Sequence, residues 1–390
     1  MIAGIICEYN PLHLGHVHLL QQVRKAGADT IVCAMSGNFV QRGEPALIRK
    51  HLRAAAAIDC GADLVLEIPT PWAMATAEIF ARGGVSILHR AGCTHLAFGS
   101  ESGDTAALQQ VAQSLDNAAY PALLRQFLAD GITFAAARQQ AVARLTDEDT
   151  AALLSSPNDT LAVEYLRAAS REASLTPLAI PRMGAHHHGA VSHGIASASH
   201  VRRLVAAGQL EEACSFLPSV MADGLRYEVR HGNTAQLIRA DRAILSALRQ
   251  SDEETLRACD SSGEGLEHRL LRAIEEGCSL EEVLQLAKTK RYTAARLRRM
   301  AMWGWLRPAA VPSTPPYLRV LAANDKGRQL LRKLRKEGAP VLTKAADAAA
   351  LGVEAAELMA REAGWTDLHG LCREVIPPCG EEWRSSPVMK

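Results

Sequence analysis

A chain of 390 residues with 48% hydrophobic content can bury at least one large core, and no apolar run approaches the ~18 residues of a membrane span. Nine scattered cysteines without a C-x-x-C pair suggest neither a disulfide framework nor a zinc site, so a reduced, cytoplasmic protein is expected. The net charge of +1 hides an asymmetry: residues 281–340 hold 14 Lys and Arg against 4 Asp and Glu, which predicts an anionic partner for the C-terminal part.

Met1 to Leu20 lacks a charged leader and carries Glu8, Asn10 and several histidines, so it does not read as a signal peptide. Ile2 to Cys7 is an apolar run too short for a helix before Asn10 and Pro11, which predicts a buried parallel strand. His13, Gly15 and His16 then fall where strand turns into helix. In an H-x-G-H turn, glycine lets the backbone approach a phosphate and the helix start offers N–H groups and a positive dipole end. Alone the motif is weak; directly behind a first strand it predicts a nucleotide site.

The spacing continues with a helix over His16–Lys25, a strand over Thr30–Met35, a helix over Pro45–Cys60 and a strand over Asp63–Ile68. A helix over Ala75–Ala91 and a strand over Thr94–Phe98 follow. This alternation predicts an α/β, Rossmann-like doubly wound parallel sheet whose ligands bind beyond the carboxyl ends of the strands. Polar stretches fall at those ends: Glu8–His16, Ser36–Arg42 and Gly99–Glu101.

Residues 105–171 read as helical, with Asn158 and Asp159 as a cap for a helix over Thr160–Ala169. Leu175–Ile180 predicts a fifth strand leading into Arg182, His186, His187, His188 and, nearby, His193. Adjacent histidines on one loop cannot all converge on an ion, so no metal site is assigned, and Arg182 with a loop imidazole is expected to face phosphate. Ser197 and Ser199 are N-cap types at a helix start; with Arg202 they would also hold a leaving pyrophosphate.

Farther on, Leu297, Met300, Ala301, Gly304 and Trp305 mark a helix with one buried stripe. Lys288, Lys290, Arg291, Arg296, Arg298 and Arg299 cannot all lie on that stripe, and no acidic residue falls between Lys288 and Arg307. Phosphate-backbone contact is the expected use, with Arg319, Lys326 and Arg328 extending the patch. Tyr292 either stacks on a base or packs. The Ala-rich segment 345–363 reads as plain helix and 381–390 as an irregular end.

Taken together, EYNPLHLGH, MSGNFVQRGEPA, GADLVLEIP, FGSE, SPNDTLAVEYL, IASASHVR and TKRYTAARLRR resemble the tRNA(Met) cytidine acetate ligase family, within the H-x-G-H nucleotidylyltransferases. The resemblance implies ATP contacts on Ile6, Cys7, Glu8, Tyr9, Asn10, Pro11, His13, Gly15, His16 and Leu19, and on Gly99, Asn158 and Arg182. One departure falls at His187-His188-Gly189, where the family tends to carry Tyr-His-Asp; His188 is retained. The implied activity joins acetate to elongator tRNA(Met) through acetyl-adenylate, with ATP as substrate; Mg²⁺ is expected from ATP chemistry alone, since no carboxylate cluster marks an ion site. Acetate is already an anionic nucleophile, so catalysis falls to positioning and charge neutralisation by His13, His16, Arg182, Ser197 and Arg202. The implied division is 1–205 for ATP and acetate, with a helical insertion at about 105–170, and a mainly helical 206–390 for tRNA. A small-molecule adenylyltransferase and a non-catalytic RNA-binding scaffold are the alternatives.

Overall fold

The computed structural model describes residues 1–172, 175–182, 191–192, 194–259, 265–289, 292–307 and 312–390. The triple His186–His188 with Gly189, as well as His193, Lys290 and Arg291, lies outside the described residues.

The N-terminal elements follow the apolar runs. They are β1 (Ile2–Cys7), α1 (Leu14–Lys25), β2 (Thr30–Ser36), α2 (Lys50–Asp59), β3 (Leu64–Ile68), α3 (Ala77–Arg90) and β4 (His95–Ser100). After a run of helices come α4 (Pro157–Glu172), β5 (Thr176–Pro181) and α5 (Ala198–Ala206). β1 pairs in parallel with β2 and β4, β2 with β3, and β4 with β5. The order β3-β2-β1-β4-β5 reverses between β1 and β4, so the crevice beyond their carboxyl ends is the topological switch point. Both faces are covered: Ile5, Cys33 and Val65 pack on one side, and Ile6, Val32, Leu66 and Phe98 on the other. Burial on both faces is why these strands read as continuous apolar runs.

The C-terminal part is mainly helical, with α6 (Asp241–Arg249), α7 (Leu280–Ala287), α8 (Ala294–Leu306) and α9 (Val353–Gly370) among its helices. It also completes the sheet. β6 (Leu318–Ala323) runs antiparallel beside β3 and pairs in parallel with β7 (Val341–Leu342) and β8 (Val388–Met389). The expected irregular end is therefore corrected: residues 381–384 form a helical turn, and Glu382 is buried against Lys50 at 2.7 Å. Arg319, expected on a basic surface, is fully buried in β6 and pairs with Glu382 at 3.3 Å. The Ala-rich stretch breaks at Gly352, where φ is +116°, between a 3₁₀ segment over Ala345–Leu351 and α9.

Candidate active site

The turn after β1 is built on side-chain to backbone bonds. His13 is the N-cap of α1; its Nδ1 accepts from the Gly15 N–H at 3.1 Å, and its own N–H donates to His16 Nδ1 at 3.1 Å. Each ring thus accepts on Nδ1, which places the proton of the neutral imidazole on Nε2. The two rings stack at 3.7 Å between centroids, and Tyr9 meets His16 edge-on at 5.0 Å. Burial, reinforced by the nearby Arg182 cation, lowers His13 to about 3. Burial, His13 and Arg182 together hold His16 well below its ordinary value. Two neutral Nε2–H donors are the result.

The expectation that backbone amides at this helix start are open to phosphate is corrected. The Leu14 N–H donates to Phe216 O, that of Gly15 to His13 Nδ1, and those of His16 and Val17 to His13 O. Gly15 has a packing reason instead: a Cβ there would sit 3.0 Å from the His13 ring and 3.3 Å from Ile195. That close approach seats the Ser-rich element directly on the H-x-G-H turn.

Across the switch point, the loop after β4 is held by Asp159. Its Oδ1 accepts from Ser100 Oγ at 2.5 Å and the Glu101 N–H at 3.0 Å, and its Oδ2 from the Ser102 N–H at 3.1 Å. Asn158 lies inside the first turn of α4 rather than capping it, and its amide donates to Glu101. Glu101 in turn lies 4.0 Å from Arg182 Nε, and Arg182 follows β5 with its N–H on Ser100 O at 3.0 Å. A Cβ on Gly99 would come within 3.3 Å of the Arg182 stem. The structure therefore gathers His13, His16, Gly99, Asn158 and Arg182 at one crevice.

Other candidates are placed differently. Ile6 packs into the core beside Gly84, Cys7 is a buried thiol against Ala34 O, and Leu19 is partly buried on α1. Pro11 is buried beside Asn10; the Asn10 Oδ1 accepts from the Leu47 N–H at 2.7 Å. Glu8 accepts from the Gln41 N–H at 3.0 Å, and desolvation raises its carboxyl. Ser197 caps α5, accepting from the His200 N–H at 3.2 Å. Arg202 donates to Asn10 O at 2.8 Å and to Glu44 at 3.1 Å. In the basic helix, Arg298 also pairs with Glu44, at 2.6 Å, and Arg299 donates to Gln41 O at 3.1 Å. Tyr292 is buried under the Arg296 guanidinium at 5.2 Å, which decides for packing. Lys288 is exposed.

Sequence reasoning missed Arg53 and Glu44 and read Asp159 only as a cap. Arg53 is fully buried and donates to the carbonyls of Glu8, Ser36, Gly37 and Ile48, tying together the ends of β1 and β2. Its local signal is an arginine among the alanines of the buried helix face, which Lys50 and Ile58 share.

The buried histidines set a pH dependence. His13, His51 and His369 are each lowered by burial to about 3, whereas an unfolded histidine titrates near 6.5. Below that value the unfolded chain binds protons first, so stability is full above about 6.5 and is lost as pH falls toward 3. A urea midpoint lower at about pH 5 than at about pH 7.5 is expected; an unchanged midpoint would contradict neutral burial.

A family model described as HIGH Nucleotidyl Transferase matches residues 1–374. The tRNA(Met) cytidine acetate ligase of Alkaliphilus metalliredigens is 37% identical, covering 88% of this chain and 87% of the relative. That of Syntrophotalea carbinolica is 38% identical, covering 85% and 82%. The crystal structure of Thermotoga maritima TmcAL bound with alpha-thio ATP superposes with a TM-score of 0.91 at 29% identity, covering 100% of this chain and 99% of that one. The chain belongs to the tRNA(Met) cytidine acetate ligase family, among the HIGH nucleotidyl transferases.

Proposed function

We propose that this chain uses ATP to activate acetate as acetyl-adenylate and transfers the acetyl group to N4 of the wobble cytidine of elongator tRNA(Met), in the cytoplasm. The observation that carries this reading is the pair of stacked, neutral imidazoles facing Arg182 at the switch point, in a chain whose relatives bear that name. In the first step a carboxylate oxygen of acetate attacks the α-phosphorus and the bond to pyrophosphate breaks. His13 and His16 donate Nε2–H bonds to the transferring phosphates, and Arg182 neutralises charge that builds on the leaving group. Ser197 and Arg202 sit on the adjoining element to receive pyrophosphate. Glu8, Asn10, Gly99 and Asn158 shape the nucleotide's approach. In the second step the cytosine amine attacks the acetyl carbon, AMP leaves, and the nitrogen loses a proton.

The carboxylates at this crevice do not fit a resident Mg²⁺. Glu101 is engaged by Asn158 and the Asp159 N–H, and Asp159 by the amides of Glu101 and Ser102. Mg²⁺ would arrive on the ATP phosphates with its own waters.

Residues 1–205 would bind ATP and acetate, with the helical insertion at about 105–170, and residues 206–390 would hold tRNA. Because β6 and β8 join the sheet, this division is one of task rather than of separate bodies. Lys288, Lys290, Arg291, Arg296, Arg298 and Arg299 are assigned to phosphates. Arg298 is a poor probe, since its loss also releases Glu44. Changing Lys288 and Arg296 to serine is expected to weaken tRNA binding and to reduce its salt slope by about one per lost contact. Filter binding across a salt series checks this; an unaltered slope removes both from the interface.

The direct test incubates the protein with ATP, Mg²⁺, radiolabelled acetate and unmodified elongator tRNA(Met) transcript, then digests the RNA. Labelled N4-acetylcytidine at the wobble position is expected. Pyrophosphate release without label in RNA would move the acceptor elsewhere, and no turnover would sink the enzyme reading.

A further inference from the structure

A cavity of about 300 Å³ opens where the two parts of the chain meet, between the Glu44–Pro45 strand, α5 and the helices α6 to α8. Aliphatic side chains, Leu47, Leu284 and Ile238 among them, share its walls with Gln236 and charged residues. Ile238 is 65% exposed, a large apolar side chain left open at this wall. The polar end is a single carboxylate between two guanidinium groups: Glu44 pairs with Arg202 at 3.1 Å and Arg298 at 2.6 Å. The other carboxylates on the wall already have partners. Asp241 accepts from the Leu280 N–H at 2.7 Å, and Glu281 from Gln285 Nε2 at 2.7 Å.

We propose that this cavity receives an unstacked cytosine of the tRNA, the acceptor base itself. The volume lies at the lower end of the ~300–1,000 Å³ of small-ligand sites, the scale of one nucleoside. The aliphatic side chains suit the faces of a flipped base, and its Watson–Crick edge needs one acceptor beside donors. Cytosine presents an exocyclic amine that a carboxylate accepts, next to N3 and O2 acceptors that Arg202 serves once pyrophosphate has left. Glu44 keeps capacity for the amine, because a carboxylate offers about four lone-pair sites and two are used here. Uracil would set a carbonyl against Glu44 and leave acceptors facing each other, which discriminates against it. The placement joins both steps: Arg202 reaches the H-x-G-H turn through Asn10 O, and Arg298 belongs to the basic helix.

This assignment rests on the tRNA-acetylation reading, so the experiment separates the two. In the full-length Ile238→Trp protein the larger indole takes up space at the cavity wall and leaves Glu44, Arg202 and Arg298 in place. Acetate-dependent ATP–pyrophosphate exchange is expected to stay within about twofold of the parent. Acetyl transfer to tRNA is expected to fall by about 10²-fold. In parallel, a transcript carrying 5-iodocytidine at the wobble position is irradiated with the Ile238→Tyr protein, and the linked peptide is mapped. A cross-link at position 238, absent from the parent, supports the site. Unchanged acetyl transfer in Ile238→Trp, or cross-links only elsewhere, overturns it. A parent with no exchange activity would sink the functional reading alone, and a cross-link at position 238 would still place a base in the cavity.

Discussion

Replacing His16 with alanine lowers acetate-dependent ATP–pyrophosphate exchange by about 10²–10³-fold, the usual loss when one preorganised donor to a developing charge is removed. The geometry argues for the upper end. His16 supplies an Nε2–H donor, stacks on His13, and accepts the His13 N–H on Nδ1. Losing the ring therefore removes one donor and loosens the other. Because the backbone amides at the start of α1 are already bonded, no neighbouring N–H stands ready to replace it. His16→Gln keeps an amide on a longer stem and is expected to retain more activity than His16→Ala. Alanine also leaves the His13 amide without its partner, at a cost of about 1–3 kcal/mol, so unfolding midpoints must be measured beside the exchange rate. Exchange near the parental rate in a folded His16→Ala protein would remove His16 from the chemistry.

The parallel strands and the H-x-G-H turn were legible because each has a local cause. Strands buried on both faces appear as unbroken apolar runs, and a helix start behind β1 confines His13 and His16 to the switch point. β6 was not legible, since its one charge, Arg319, resembles its basic neighbours in the sequence. Its partner Glu382 lies 63 residues later, and no local pattern connects them. The same limit hid Glu44, whose significance comes from meeting Arg202 and Arg298 across more than 150 and 250 residues. Asn158 was misplaced by one turn of helix because Asp159, not a cap, organises the loop after β4. The occupied amides of α1 depend on the His13 ring orientation, which spacing does not encode.

Replacing Lys50 with methionine is expected to destabilise the chain by about 3–5 kcal/mol, the cost of breaking a buried ion pair from one side. Lys50 Nζ lies 2.7 Å from both Glu67 and Glu382, all three nearly inaccessible to water. Glu382 has a second cation in Arg319, and with Lys50 and Arg319 beside it its carboxyl is held down to about 2 despite burial. Nearby Glu362 is pushed the other way, to about 8, by burial and by Glu67; it accepts from the Thr70 N–H and hydroxyl. Lys50→Met strands Glu67, which has no other cation at bonding distance among the described residues, whereas Glu382 keeps Arg319. Adding Glu67→Gln to Lys50→Met should recover part of the loss, because the uncompensated charge is then gone and only a polar amide remains buried. Denaturant unfolding of the parent, both single variants and the double variant measures this coupling. If the double variant is no more stable than Lys50→Met, the pair does not carry the energy assigned to it. The stakes reach the site: Glu67 packs against Gly37, where a Cβ would lie 2.2 Å from its carboxylate, and the Gly37 carbonyl accepts from Arg53. Arg53 also holds Glu8 O at the end of β1. A chain that loses Lys50 should therefore lose ATP–pyrophosphate exchange at temperatures where it is still largely folded, as the ends of β1 and β2 come free before the sheet does.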